Sequence, residues 1–375
     1  MKVLFLTNIP APTRVDFFEE LATRGCELTV LYELLQSGER NKEWRSMRAG
    51  SVGKNYEEVF LKPVWRGRAS AWCPSVTKYL KRGKWDMVIV GVYSTPTGMH
   101  AIHCLRRRKI PYAINCDGGL VPHVESSLKY KLKRYFLSGA ELYFCSGTFS
   151  DAYLVHYGAD SQAIRHYPFS SLHRDDILQE PVMEGVKRRL RTELGWEERN
   201  IVLSVGNFIP RKGFDVLLKA AAELNDQYDI YIVGGGDTGQ YRQFIETRGL
   251  KHVHFLPFMK SSELKKCYMA ADVFVLATRE DIWGLVINEA MAAGLPVITT
   301  DRCVAGMELV DQECIVPVGD ARGLSSKIRR FMENVELRAR VGRRNLDRIR
   351  EYTIENMARV HIDILREREK RDCFF

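Results

Sequence analysis

Hydrophobic residues in this chain fall into short runs separated by longer segments of helical period. Lys2–Asn8 (KVLFLTN), Glu27–Glu33 (ELTVLYE), Met87–Val92 (MVIVGV), Tyr112–Cys116 (YAINC) and Leu142–Gly147 (LYFCSG) are nearly continuous apolar stretches. Runs of this length without polar alternation read as parallel strands buried on both faces. The segments between most of them are polar and helical in period, so residues 1–170 predict a doubly wound α/β domain. Over 171–200 the apolar density drops while charged residues and Pro181 accumulate, which predicts a linker. The rhythm then resumes with Ile201–Asn207, Asp229–Gly234, His252–Phe258, Val273–Thr278, Val297–Thr300 and Ile315–Val318, a second such domain over 201–353. A final helical segment, 354–375, has no strand after it and is expected to pack back on the first domain. Sheets of this kind bind ligands beyond the carboxyl ends of their strands, so two facing domains predict a central cleft.

Bulk properties narrow the class. At 375 residues the chain is too long for one ordinary core. With 45% hydrophobic and 27% charged residues it has the composition of a soluble globular protein. No apolar run is long enough to span a bilayer. The opening MKVLFLTNIP has too short a patch for a signal-peptide core and reads as a first strand. Nine cysteines, an odd number with no C-x2-C pair, argue against a disulfide framework or a zinc site and for a reducing cytoplasm.

Charge is unevenly placed. Residues 1–170 hold 24 Lys and Arg against 15 Asp and Glu, whereas 171–375 hold 32 of each. The whole net charge of +9 therefore sits in the first half. One-sided basic excess suits an anionic partner such as a membrane surface or a phosphate-bearing substrate. No recognition motif supports nucleic acid. Ser126–Phe136 (SSLKYKLKRYF) reads as a helix with Leu128, Leu132, Tyr135 and Phe136 at helical spacing and Lys129, Lys131, Lys133 and Arg134 around them. Such a helix fits either a solvated helix on a core or a helix lying on an anionic membrane. The LRRRK run at Leu105–Lys109 reads as the basic end of a helix.

Three loops carry candidate chemistry. GGGDTG at Gly234–Gly239 fits G-x-G-x-x-G, but the dinucleotide fingerprint also wants an acid after the next strand, and HVHFLPF has none. The favoured reading is a turn whose backbone approaches a ligand closely, beside the plainer reading of a tight strand-to-helix turn. SVGNFIPRKG at Ser204–Gly213 puts Arg211 and Lys212 past a strand end, poised to neutralise a phosphate or diphosphate. An ordinary solvated basic turn fits the same residues. TREDIWGLVINEAMAAGLPVI at Thr278–Ile298 has adjacent acids, Glu280 and Asp281, in a loop, then Gly284 and a helix with Glu289 inside it. Free amides at a helix start attract phosphate, and glycine lets it come close to the backbone. Glu289, roughly one turn further in, can reach hydroxyls beyond the phosphate, and a loop acid can reach hydroxyls on the other side. That order of groups outlines a nucleotide-sugar.

At this point the sequence resembles glycosyltransferase family 4, retaining transferases of the GT-B fold. The family's E-x7-E followed by EAMAxGxPV appears as Asp281, seven residues, then Glu289-Ala290-Met291-Ala292-Ala293-Gly294-Leu295-Pro296-Val297. Its V-G-R…K-G becomes Val205-Gly206-Asn207…Lys212-Gly213. The resemblance covers about residues 201–317, and the first half matches mainly in rhythm. It implies the GT-B fold, with Asp281 on the donor sugar, Glu289 on the ribose, Gly284, Leu285 and Val286 on the diphosphate through their amides, and Lys212 neutralising it. The base is expected against backbone near Phe258 and Met259, where the family usually has glycine rather than Pro257. Three departures stand out: an aspartate with Glu280 beside it, Asn207 in place of arginine with Arg211 nearby, and NIPAPTR in place of a glycine-paired first loop, which makes Arg14 a candidate diphosphate cation. In INCDGGLVPH, Asp117 lies at a strand end where the family often has a histidine near the reacting sugar. Asp117 is the candidate polar contact at the reaction centre, and His123 is the runner-up.

The expectation is a retaining hexosyltransferase that moves a sugar from a nucleotide-diphosphate sugar, UDP-sugar being typical, to a hydroxyl of a lipid-linked or polysaccharide precursor. Capsule and lipopolysaccharide synthesis are the settings implied. With no D-x-D motif, neither a metal nor another cofactor is expected. The implied location is cytoplasmic, peripheral at the inner face of the cell membrane. Two rivals remain at this stage: a nucleotide-sugar epimerase on the same fold, and a non-catalytic nucleotide-sugar-binding protein.

Overall fold

The computed structural model describes residues 1–35, 55–67, 70–81, 83–122, 124–224 and 227–372, so His123 lies outside the described residues. The chain forms two compact units: 1–169 together with 354–375, and 170–353.

The first unit holds strands β1 (Lys2–Thr7), β2 (Glu27–Tyr32), β3 (Glu57–Phe60), β4 (Trp65–Arg66), β5 (Ala71–Trp72), β6 (Met87–Val90), β7 (Tyr112–Cys116), β8 (Leu142–Cys145) and β9 (Ile164–His166). Its helices are α1 (Pro12–Thr23), α2 (Pro96–Arg107), α3 (Ser127–Leu137) and α4 (Thr148–His156). Seven of these strands make one parallel sheet in the order β3-β2-β1-β6-β7-β8-β9, and β4 and β5 form a separate antiparallel ribbon. Alternation along β1 divides two cores. Leu4 and Leu6 face one cluster with Val88, Ile102 and Ile114, and Val3 and Phe5 face the other with Phe17 and Phe18. Pro12 occupies the first turn of α1, where a missing N–H costs nothing and its fixed φ suits the helix.

The second unit holds α5 (Glu184–Leu194), β10 (Asn200–Val205), α6 (Phe214–Ala221), β11 (Tyr228–Val233), α7 (Gly239–Arg248), β12 (Val253–Leu256), α8 (Ser261–Ala270), β13 (Val273–Leu276), α9 (Leu285–Ala292), β14 (Val297–Thr300), α10 (Val304–Leu309), β15 (Ile315–Val316), α11 (Ala321–Met332) and α12 (Val335–Ile349). Its parallel sheet runs β12-β11-β10-β13-β14-β15. Strand order reverses between β10 and β13, and the matching reversal in the first sheet lies between β1 and β6.

Two features differ from expectation. Residues 171–200 are not a loose linker. Helix α5 packs on α8, its buried Arg191 pairs with the buried Asp272 at 2.8 Å, and Lys187 joins that carboxylate at 2.9 Å. Asp272 also accepts from the Ile201 main-chain N–H at 2.8 Å. A helix with few apolar residues is held here by a buried ion cluster, which hydrophobic periodicity does not register. The strands β3 and β9 were likewise not anticipated. Both are sheet edges carrying charged residues, as edge strands do where one side is open. The closing helix α13 (Ile354–Asp372) belongs to the first unit, where Ile354, Met357, Ala358, Ile362 and Leu365 join the Phe5 core.

Candidate functional site

In the second unit the loops after β10 and β13 meet where the strand order reverses, the position at which open α/β sheets take ligands. Main-chain bonds lock the two loops together. The Arg279 N–H donates to the Arg211 carbonyl at 2.7 Å, and the Thr278 hydroxyl donates to the same carbonyl at 2.9 Å. Lys212 Nζ then lies 2.6 Å from Asp281 Oδ2, and the Arg211 guanidinium 3.6 Å from Asp281 Oδ1. Arg211 also donates to the Glu280 carbonyl at 2.7 Å. Asp281 is only 7% exposed, with its main chain bonded to Arg302 and Val304, whereas the Glu280 side chain is half exposed and 3.6 Å from Arg302. The buried neighbour paired to both cations is therefore Asp281.

Helix α9 starts at the end of the same loop. Gly284 caps it at φ +101°, a conformation L side chains rarely adopt, and a Cβ there would come within 2.8 Å of Cys303 Sγ. Leu285 and Val286 open the helix, where N–H groups have no partner inside it. Trp283 braces this turn by donating its indole N–H to Asn288 Oδ1 at 3.0 Å. One turn in, Glu289 accepts from the Tyr268 hydroxyl at 2.9 Å. Burial pushes the Glu289 carboxyl up to about 7, against the opposing pull of that hydrogen bond.

The remaining loop candidates group around the turn after β11. A Cβ on Gly234 would fall 1.8 Å from the Gly206 carbonyl oxygen. The close approach that requires glycine there is thus to the neighbouring loop. Gly235 faces Asn207 and Phe258, both exposed. Met259 is half-buried and receives the Cys267 thiol at 3.6 Å.

Arg14 and Asp117 meet in the first unit. Asp117 follows β7, and Arg14 lies in the first turn of α1. The guanidinium pairs with Asp117 Oδ2 and stacks against Phe17 and Phe169, each 5.7 Å from its ring centre. Arg14 Nη1 is buried with no hydrogen-bond partner among the described residues. Asp117 Oδ1 accepts from Asn115 Nδ2 and from the Tyr167 hydroxyl, both at 2.6 Å. Sequence reading missed Asn115, Tyr167 and Tyr268. Asn115 was within reach, being two positions before Asp117 and so on the same side of the strand. Tyr167 and Tyr268 carried no local signal. Among the described residues, no group of three or more His, Cys, Asp or Glu is placed to hold a metal ion.

Comparison with known proteins finds relatives over part of the chain. Residues 186–348 match the family described as Glycosyl transferases group 1. The chain is 34% identical over 133 residues to spore coat protein SA of Bacillus subtilis, covering 32% of this chain and 35% of that protein. It is 31% identical over 186 residues to the phosphatidyl-myo-inositol mannosyltransferase of Mycobacterium leprae, covering 48% of this chain and 47% of that protein. The matches span between 30% and 60% of the length of these and similar curated relatives. Among solved structures, Anabaena HepE in complex with UDP and glucose superposes with a TM-score of 0.77 over 98% of this chain and 100% of that one, at 17% identity. The two parallel-sheet Rossmann-like units are those of the GT-B fold.

Proposed function

We propose that this protein is a retaining glycosyltransferase of the family 4 type, moving a hexose from a nucleotide-diphosphate sugar to an acceptor hydroxyl. The observation that carries the reading is the Lys212–Asp281 pair, with Arg211, at the strand-order reversal beside the start of α9. Lys212, Arg211 and the first amides of α9 place positive charge where a diphosphate leaving group develops its negative charge. Asp281 orients those cations and offers an acceptor to the donor sugar, and Glu289 offers one to the ribose. In the step itself the bond from the anomeric carbon to the phosphate oxygen breaks and a bond to the acceptor oxygen forms on the same face. The acceptor proton passes to the departing phosphate oxygen, so no enzyme nucleophile is needed. Asp117 is read as a polar contact at the reaction centre, and Arg14, through its unpaired Nη1, as a further cation for the donor.

Charge neutralisation by these side chains makes the reaction independent of an added metal and of any other cofactor. The acceptor is read as a lipid-linked or polysaccharide precursor at the inner face of the cell membrane. Helix α3 supports this, because Leu128, Leu132 and Tyr135 lie exposed on one face while Lys129, Lys131 and Arg134 are exposed around them. No helix among the described residues is long and apolar enough to cross a membrane. The lipid named in the mycobacterial relative points the same way. The test is a panel of nucleotide-sugars incubated with purified protein and followed for slow donor hydrolysis, with and without EDTA. EDTA-resistant turnover of one donor is expected, and an absolute need for Mg²⁺ or Mn²⁺ would refute the metal-free mechanism.

A further inference from the structure

Asp117 is the end of a buried polar chain that crosses from the sheet of the first unit to its closing helix. His361, in α13, is fully buried and stacks on Phe144 with ring centres 4.4 Å apart. Its Nε2 lies 2.9 Å from Asn115 Oδ1, and its Nδ1 lies 2.8 Å from the Met357 carbonyl. Asn115 in turn donates from Nδ2 to Asp117 Oδ1 at 2.6 Å and to the Tyr167 hydroxyl oxygen at 3.1 Å.

The inventory of donors and acceptors fixes this chain. Asp117 Oδ1 takes two hydrogen bonds, so the Asn115 amide must present its nitrogen to it and its oxygen to His361. Burial pushes the His361 imidazole down to about 3, with Arg14 adding to the shift and Met357 and Asp117 opposing it. The ring is therefore neutral and has one proton for two facing oxygens. One proton cannot serve both oxygens, and the Met357 carbonyl, 2.8 Å from Nδ1, is the one left without it, because it already accepts the main-chain N–H of the helix ladder one turn on. Asn115 Oδ1 has no other donor among the described residues, and a buried acceptor left unmade costs free energy. The proton therefore belongs on Nε2. On Nδ1 it would turn the Asn115 amide over and set its oxygen against the Asp117 carboxylate.

We propose that His361, as its Nε2–H tautomer, is a positioning residue that fixes Asp117 through Asn115. The proposal rests on Asp117 acting at the reaction centre, and it adds a determinant 246 positions from Asn115 in sequence. Gly118 and Gly119 follow Asp117 directly, so side-chain bonds rather than a stiff backbone hold the carboxylate. Tyr167 holds the same oxygen from β9's end, and Arg14 holds the other.

The experiment has two readouts on the full chain. Nitrogen-15 NMR of histidine-labelled protein at pH 7 is expected to show His361 neutral with its proton on Nε2. Asn115→Leu is expected to move that proton to Nδ1. A wild-type ring protonated on Nδ1 overturns the proposal, whether or not any variant folds. The second readout is turnover of UDP-glucose. His361→Phe keeps the stack on Phe144 and removes the donor, and is expected to lower kcat about tenfold with KM for UDP-glucose unchanged. His361→Gln, which retains an N–H donor, is expected to stay within about threefold of wild type. In an Asp117→Asn background His361→Phe is expected to cost less than about twofold, because coupled residues are not additive. Equal losses in both backgrounds overturn the positioning role. If Asp117→Asn alone is fully active, the reading of Asp117 fails while the NMR result still reports on the His361–Asn115 bond.

Discussion

The two carboxylates beyond strand ends sit in surroundings of opposite kind. Asp281 faces two cations and is held mainly through its main chain, and the cations reach it from a loop whose position is set by backbone hydrogen bonds. Asp117 faces one cation and is held by an amide and a phenol on its other oxygen. The first arrangement carries surplus positive charge and suits an incoming diphosphate. The second has every carboxylate oxygen engaged and suits a group that must keep one orientation. A cluster built for charge should fail in proportion to the charge removed, and one built for orientation should fail when its hydrogen bonds are rearranged.

The largest expected effect lies on the charge side. Lys212→Ala is expected to lower turnover about 10²- to 10³-fold with an unchanged far-UV spectrum, the scale seen when a preorganised electrostatic donor is lost. Near-normal activity would remove Lys212 from the site. On the orientation side, Asp117→Asn keeps the shape and is expected to lower kcat about 10- to 100-fold, with donor KM unchanged in steady-state kinetics. A rise in KM without a fall in kcat would move Asp117 from the reaction centre to simple binding.

Glu289 sharpens the comparison through pH. Its carboxyl is raised to about 7, so it is neutral below that value and ionised above it. If Glu289 accepts from donor hydroxyls as proposed, the ionised form bonds them better, so affinity for the nucleotide-sugar that the panel identifies is expected to be about tenfold weaker at pH 6 than at pH 8. Calorimetry on Glu289→Gln should show that dependence abolished. Stability runs the other way. A carboxyl raised above its unfolded value favours the fold most fully below the unfolded pKa, and that contribution is lost as pH rises through 7. Glu289→Gln is therefore expected to melt a few degrees higher than wild type at pH 8 and alongside it near pH 4.5. The smallest effect is expected at α3. Replacing Leu128, Leu132 and Tyr135 with serine should weaken sedimentation with anionic vesicles about 3- to 10-fold at physiological salt. Wild-type protein that ignores such vesicles would end the membrane reading.

Much of the second unit was legible because its candidate site is local. Lys212 and Asp281 each sit just past a strand, and parallel pairing of β10 with β13 brings those two ends together. The eight-residue step from Asp281 to Glu289 crosses a loop and one helical turn, distances that sequence spacing encodes. The cluster around Asp117 is assembled from residues 14, 115, 117, 167 and 361, on four separate elements and their ends, and beyond the two-residue step from Asn115 to Asp117 no spacing rule links them. Helix α5 escaped notice for a related reason, since its anchor is the Arg191–Asp272 pair rather than an apolar stripe. Strand boundaries ran one to two residues long at several carboxyl ends, including Val273–Thr278, where pairing ends at Leu276 and the site loop begins.

Whether the β10 and β13 loops hold a sugar donor for transfer is tested by a proton NMR time course with a panel of nucleotide-sugars, run on wild type and Lys212→Ala. The expected result is loss of one donor's anomeric signal, release of sugar first seen with that donor's anomeric configuration, and a rate about 10²-fold lower in the variant. A panel left untouched, a donor converted to its epimer with no sugar released, or a variant as fast as wild type would contradict it.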